Sequence, residues 1–338
     1  MKSSFWCVMG CVGAVVGAGF VSGREVVFFF SQYGVHSWWL IGISILTMLV
    51  LADFLMRHGD RVNGLLCSQS RKTGFLIPKI TITLVLLLLS GAMTSAAGEM
   101  IRLSLPFRYA YPAGLLGSLS VAWVMSRGEM KPFSIISFGL TALFLVMALL
   151  VMHEGRGEVP CETAFLYAKP TVGQFLRAVL YAVGYSAMNI CVSMGFMCRS
   201  GCACKAKTDR RAAGFGLGMC GLLFLSNALY LLHPDKMNSA FPIVELFAVF
   251  GKTGFYACTA LLYLAILTTL IALINTLRAG YGGENNEPKH RDYLFFCLIV
   301  LISQLGFSGI VNRFYAPMGL VCIAAVFLPL GRKIKKRY

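Results

Sequence analysis

The stretch "GCVGAVVGAGFVSGREVVFFF", residues 10–30, is apolar enough to enter a bilayer, yet Gly10, Gly13, Gly17, Gly19 and Gly23 interrupt it and Arg24–Glu25 follows at once. A glycine inside a helix is about 1 kcal/mol less favourable than an alanine, so this run does not read as a plain spanning helix. The rest of the chain has to say what the interruption is for.

Hydrophobic residues make up 57% of the 338 and charged residues 13%. Mean hydropathy is +0.74. Soluble domains carry about 25% charged residues. Apolar runs long enough to span, about 20 residues each, occur near 5–30, 36–56, 79–101, 112–126, 133–152, 173–197, 212–232, 253–277, 293–311 and 314–331. The expectation is an all-α membrane protein of ten transmembrane helices, forming a single membrane domain over 1–338. The first run is too long and wrongly flanked for a cleavable signal. "NSAFPIVELFAVF" (238–250) is too short to span and suits a helix lying on the outer side of the bundle.

The net charge of +16 invites a nucleic-acid reading, but its distribution points to topology. Of 30 Lys and Arg, 21 fall on one side: Lys2, Arg57 to Lys79, Arg127 and Lys131, Arg199 to Arg211, Arg278 to Arg291, and the tail "GRKIKKRY". The positive-inside rule places that side, with both termini, in the cytoplasm. The partners are then the lipid bilayer and a small solute, not nucleic acid. The 12 cysteines are scattered; Cys198, Cys202 and Cys204 cluster in a basic loop without a fourth ligand and read as free thiols.

Ten spans divide into a first repeat, about 5–152, and a second, about 173–331. The leading span of the second carries Gly184, Tyr185, Ser186 and Asn189 at its middle. Interrupted helices at matching places in two halves mark transporters built from inverted repeats. The expectation is a 5+5 inverted repeat with broken first and sixth helices. Close helix packing is the plain alternative for each glycine taken alone.

"GAGFVSGREVVFFF" resembles the opening of the YkvI-like bacterial membrane proteins, of the amino acid–polyamine–organocation superfamily with the leucine-transporter fold. Tyr185 with Asn189, and "LAILTTL" (264–270), are supporting matches. The resemblance implies a bacterial cytoplasmic membrane and unwinding of the first and sixth spans. Unwound backbone is tolerated in a bilayer where it lines a cavity. The substrate side would then be Gly17, Ala18, Gly19, Ser22, Tyr185 and Asn189. It also implies a sodium site, with carbonyls of Gly13, Val16 and Ala265 and hydroxyls of Thr268 and Thr269. Positions 265, 268 and 269 share one helical face. Threonines that merely bond back to their own helix are the alternative. The fifth span, "PFSIISFGLTALFLVMALLV" (132–151), has no lysine to replace a sodium ion.

Glu25 and Glu99 are carboxyls inside or at the ends of spans, where an ionisable residue is costly and functional by default. They are expected to serve gating or coupling; Glu25 could instead pair with Arg24 or Arg102. Asn227, Gln304 and His233 read as structural. The expected function is a secondary transporter of an amino acid or amine, sodium-coupled, with no cofactor besides that ion. The alternatives are a solute-sensing receptor on the same fold and a proton-coupled transporter using Glu25 and Glu99. No HExxH, no GxSxG and no paired intramembrane aspartates occur, so no enzyme is expected.

Overall fold

The computed structural model of the protein describes residues 8, 11, 12, 15, 20, 22–59, 62, 76–105, 107–127, 131–154, 171–202, 208–279 and 290–329. Every regular element among them is helical. They are α1 (Arg24–Phe29), α2 (Ser37–Arg57), α3 (Leu76–Ser104), α4 (Ala110–Met125), α5 (Lys131–Glu154), α6 (Val172–Cys202), α7 (Thr208–Leu232), α8 (Pro242–Phe247), α9 (Gly251–Ala279), α10 (His290–Ser303) and α11 (Phe307–Cys322). Six helical runs among the described residues are long and apolar enough to cross a membrane. Ala110–Met125 and Gly139–His153 are shorter apolar helices.

Two groups of helices emerge from the packing. In one, α6 lies against α2 and α11, and α7 lies against α2. In the other, α3 is the centre and packs against α4, α9 and α10. Helix α11 touches both α6 and α3 and so joins the groups. Lipid offers no hydrophobic reward for helix association, so small side chains and interhelical hydrogen bonds carry it. Between α2 and α6, Ser44 Oγ donates to Ala182 O (2.9 Å) and Ser186 Oγ reaches Ser44 O (3.0 Å).

Backbones approach one another directly between α6 and α11. A Cβ on Gly184 would lie 2.6 Å from Ala316 O, and one on Gly319 would overlap Gly184 O. That contact corrects the expected break in the sixth span. Helix α6 runs unbroken from Val172 to Cys202, and Gly184 is there to admit a neighbouring backbone. Its polar residues also bond along the helix: Ser186 Oγ to Ala182 O, Asn189 Nδ2 to Tyr185 O, and Ser193 Oγ to Asn189 O.

The first span is interrupted. Val8, Cys11, Val12 and Val15 are helical and buried at i, i+3, i+4, i+7 spacing, one face of a packed helix. Residues 16–19, where the break was expected, lie outside the described residues, as does Gly13. Phe20 is still helical, and the described break falls at Ser22–Gly23. Gly23 has φ +80°, and the hydroxyl of Tyr230 occupies the place its Cβ would take. Two separate constraints thus demand glycine at this turn.

A second interruption follows α1. Phe30 leaves helical geometry, Ser31–His36 forms a 3-10 turn, and Gly34 has φ +56°. Side chains brace this corner: Ser31 Oγ donates to Asn227 Oδ1 (2.9 Å), Asn227 Nδ2 donates to Ser37 Oγ (2.8 Å), and Ser37 Oγ donates to Gly34 O (2.6 Å). Asn227 is the structural tie the sequence suggested.

Helix α8, with the 3-10 turn Ala248–Phe250, is the short element expected at 238–250; Pro242 starts it, where its missing N–H costs nothing. The last two spans are divided differently from the expectation. The turn lies at Gln304–Gly306, with Gly306 at φ +75°, not near 312–313. Asn312 and Arg313, which fall between the two expected spans, both belong to α11.

Gly319→Ala should push α6 and α11 apart and destabilise the protein by about 1–3 kcal/mol, the usual range for overpacking. Gly117→Ala is the control, since nothing lies within 4 Å of a Cβ there. Thermal unfolding in detergent should separate the two. Asn227→Ala leaves the Ser31 hydroxyl without the acceptor it uses here and should cost about 1–3 kcal/mol in the same assay; unchanged unfolding would remove the brace.

Candidate functional site

Helix α1 is the piece of chain held between the two interruptions. It contacts α6, α7 and α11, and Glu25, Val26, Val27 and Phe29 are all buried. Glu25 and Phe29 are one turn apart and share a face. Phe29 carries that face to Tyr185 of α6, with ring centroids 5.0 Å apart, and Phe30 meets the same ring edge-on at 5.2 Å.

Glu25 is 4% exposed. Its carboxyl faces the phenol of Tyr315 on α11, and Tyr185 is the other ionisable group acting on it. Tyr315 stands against the carboxyl as its hydrogen-bonding neighbour and Tyr185 against Asn189, although neither hydroxyl reaches full hydrogen-bond geometry. Glu25 makes no salt bridge among the described residues. The alternative pairing with Arg24 does not form, because Arg24 is directed the other way and donates to Met237 O (3.3 Å) and Ser239 O (3.1 Å). Arg102 is likewise engaged elsewhere, with Glu99. A carboxylate taken out of water without a cation costs several kcal/mol, a cost met either by a proton on the carboxyl or by a cation beside it.

Ser22 closes the break on the other side. Its hydroxyl accepts from Arg24 N (3.3 Å), and its carbonyl accepts from Ile243 N of α8 (3.4 Å). Beyond α8 lies a small apolar cleft of about 20 Å³, lined by α5 residues including Phe144, by Ile243 and Phe247, and by α9 residues down to Ala265. Phe144 meets Phe20 of the first span edge-on at 6.1 Å.

The structure therefore places Glu25 beside Tyr185, with Asn189 tied to the Tyr185 carbonyl, and Ser22 at the break three residues before Glu25. Gly17, Ala18 and Gly19 lie outside the described residues. So do Gly13 and Val16, the expected first-span carbonyls of the ion site. On α9, Thr268 Oγ1 donates to Ala265 O (3.0 Å) and Thr269 Oγ1 donates to the same oxygen (2.8 Å). This back-bonding is common in membrane helices. It also holds two hydroxyl oxygens side by side, each with lone pairs left after donating. Glu99 sits near the end of α3, paired with Arg102 at 2.6 Å. The thiols of Cys198 and Cys202, and Cys204 itself, lie outside what is described.

Two features were missed in the sequence. Tyr315 completes the surroundings of Glu25, and a misplaced span boundary hid it; an aromatic hydroxyl two residues before Pro317 was the available signal. The second is a buried knot at the other end of α9. Arg278 meets Asp292 of α10 at 3.0 Å, lies over the Trp123 ring at 5.5 Å, and reaches Ser126 Oγ, while Asn275 Nδ2 donates to Ser126 O. It ties the ends of α4, α9 and α10 within one helix group.

No family model matches the chain. Over 341 residues it is 23% identical to the uncharacterized membrane protein YkvI of Bacillus subtilis (strain 168), covering 96% of this chain and 95% of that protein. Among solved structures it is similar to a histidine-to-alanine mutant of the Eremococcus coleocola manganese transporter, with a TM-score of 0.64 at 14% identity, over 96% of this chain and 78% of that one. It is also similar to Mhp1, a nucleobase-cation-symport-1 family transporter in a closed conformation with bromovinylhydantoin bound, with a TM-score of 0.60 at 16% identity, over 95% and 74%. At these identities the likeness is one of fold: the chain is folded as these membrane transporters are.

Proposed function

We propose that the chain is a secondary active transporter of a small organic solute, an amino acid or amine, working by alternating access in a bacterial cytoplasmic membrane. The observation that carries this reading is the buried Glu25, without a salt bridge among the described residues, on a short helix between two interruptions of the first span. Broken helices whose ends and side chains converge within the bilayer are where transporters hold their cargo. The likeness to Mhp1 and to the manganese transporter supports the same class.

In this reading ten helices form a 5+5 inverted repeat with both termini cytoplasmic. The group of α2, α6 and α7 moves against the group centred on α3, and α11 is the joint. Sodium is the proposed coupling ion, held by the hydroxyl oxygens of Thr268 and Thr269 with carbonyls of Ala265, Gly13 and Val16. An ion bound there would tie the first span to α9 and favour one access state in proportion to its differential affinity. Glu99, with Arg102, belongs to a vestibule in this reading. A receptor on the same fold would bind solute without exchanging it.

Counterflow of labelled amino acids and amines in proteoliposomes, with and without sodium, is the deciding experiment. Exchange is expected, and binding without exchange would turn the reading into a receptor. Thr268→Ala combined with Thr269→Ala should abolish the sodium dependence, and Thr→Ser at both positions should largely keep it. A full sodium response in the double alanine variant would remove the ion site while leaving transport in place.

A further inference from the structure

Helix α1 carries two ionisable side chains and treats them differently. Arg24 gives its charge to the Met237 and Ser239 carbonyls. Glu25 is 4% exposed and enters no salt bridge among the described residues. The ionisable groups that face it are phenols, Tyr315 of α11 and Tyr185 of α6. Tyr230 of α7 is turned onto Gly23. On the 3-10 turn Ser31–His36, Tyr33 looks to Tyr181 and Arg177, and His36 makes no ion pair with Glu25. Arg177 is itself bonded to the Tyr181 hydroxyl, and Arg313 of α11 is exposed. Phenols are neutral at ordinary pH. No positive charge among the described residues therefore reaches the carboxyl from the elements packed on α1.

Whatever neutralises this carboxyl has to fit where it lies. Val26, Phe29, Phe30 and Tyr185 are all at 0% exposure. Both flanks of α1 are pinned, by Ile243 N on the Ser22 carbonyl and by the Ser31–Asn227–Ser37 chain, so the carboxyl does not reach water unless the span opens. A hard cation such as sodium takes several oxygen ligands, and an organic cation takes room for its carbon as well. A proton needs neither. We propose that Glu25 is a proton site: it holds a proton while the first span is closed around it and returns that proton to water when the break at Ser22–Gly23 opens. One O–H bond forms on the carboxylate from a hydrated proton, and the same bond breaks to water on the opposite side of the membrane. A group that binds its proton in one conformation and gives it up in another makes their balance depend on pH. By reciprocity, a solute that favours the closed form tightens the hold on the proton. In the transport reading the solute then moves with a proton, besides the sodium ion proposed on α9.

The cycling of the proton rests on the transport reading, but its presence on Glu25 is tested without transport. Unfolding temperatures of the purified full chain are measured in detergent between about pH 5 and about pH 8. An unfolded glutamate ionises above about pH 4.3. A folded chain that keeps the proton has its full stability below that value and loses stability as pH rises above it. Glu25→Gln, the neutral isostere, should escape this loss. It should unfold at a higher temperature than the wild type, by more at about pH 8 than at about pH 5. Glu25→Asp keeps the acid and should follow the wild type. Three results overturn the proton: a Glu25→Gln variant that fails to fold or unfolds below the wild type throughout, a difference that does not grow with pH, or a difference erased by exchanging potassium chloride for sodium chloride. In proteoliposomes loaded with the labelled amino acids and amines, accumulation driven by a pH gradient should be lost in Glu25→Gln relative to counterflow at equal pH. An unchanged ratio would overturn the cycling. Wild-type protein with the pH-dependent difference in unfolding but no counterflow would overturn the transport reading alone.

Discussion

In hydrocarbon every backbone polar group has to find its partner inside the protein. The first span is interrupted twice between Ser22 and Gly34, so the structure depends on what replaces the missing helical bonds. At the first interruption the Ser22 carbonyl is taken by Ile243 N of α8, and Gly23 turns beneath Tyr230. At the second, Ser31, Asn227 and Ser37 form a chain ending on Gly34 O. These substitutes come from α7, α8 and the start of α2, so the break is held by several elements at once.

That bracing explains how a six-residue helix can be buried and still carry a carboxyl. Helix α1 has no room to shift its charge toward water, because its flanks are pinned and its apolar residues are packed on α6, α7 and α11. The cost of the buried Glu25 is therefore built into the fold and is met by a proton or a cation at the carboxyl, not by local rearrangement. The two helix groups meet at the same place. Tyr185 belongs to α6 of one group, and Tyr315 to α11, which also touches α3 of the other. A guest held between them would be felt by both groups, which is the physical requirement for coupling binding to their relative position.

Much of this was legible in the sequence where a residue type allows few alternatives. Composition and basic loops marked a multi-spanning chain, the glycines of 10–23 marked an interrupted span, and Pro242 marked a short separate helix. Glu25 stood out because a carboxyl inside an apolar run has few reasons to be there. Glycine was the ambiguous letter. Gly23 serves a turn with positive φ, whereas Gly184 serves a backbone contact inside an unbroken helix, and a sequence shows the same residue for both. The last boundary was misread because Gly306, whose positive φ makes the real turn, carries no charged neighbour that announces it, and Asn312 and Arg313, between the two expected spans, lie on α11. That error also hid Tyr315.

The central claim is that the break at Ser22–Gly23 lies on a pathway opened to each side of the membrane in turn. A cysteine placed at Ser22 tests it most directly, by its reaction with a membrane-impermeant maleimide in right-side-out and inside-out vesicles, against the same chain without that cysteine. Alternating access predicts labelling from both sides, with the balance shifted by solute and by the sodium gradient. Labelling confined to one side under every condition, or from neither, would contradict it.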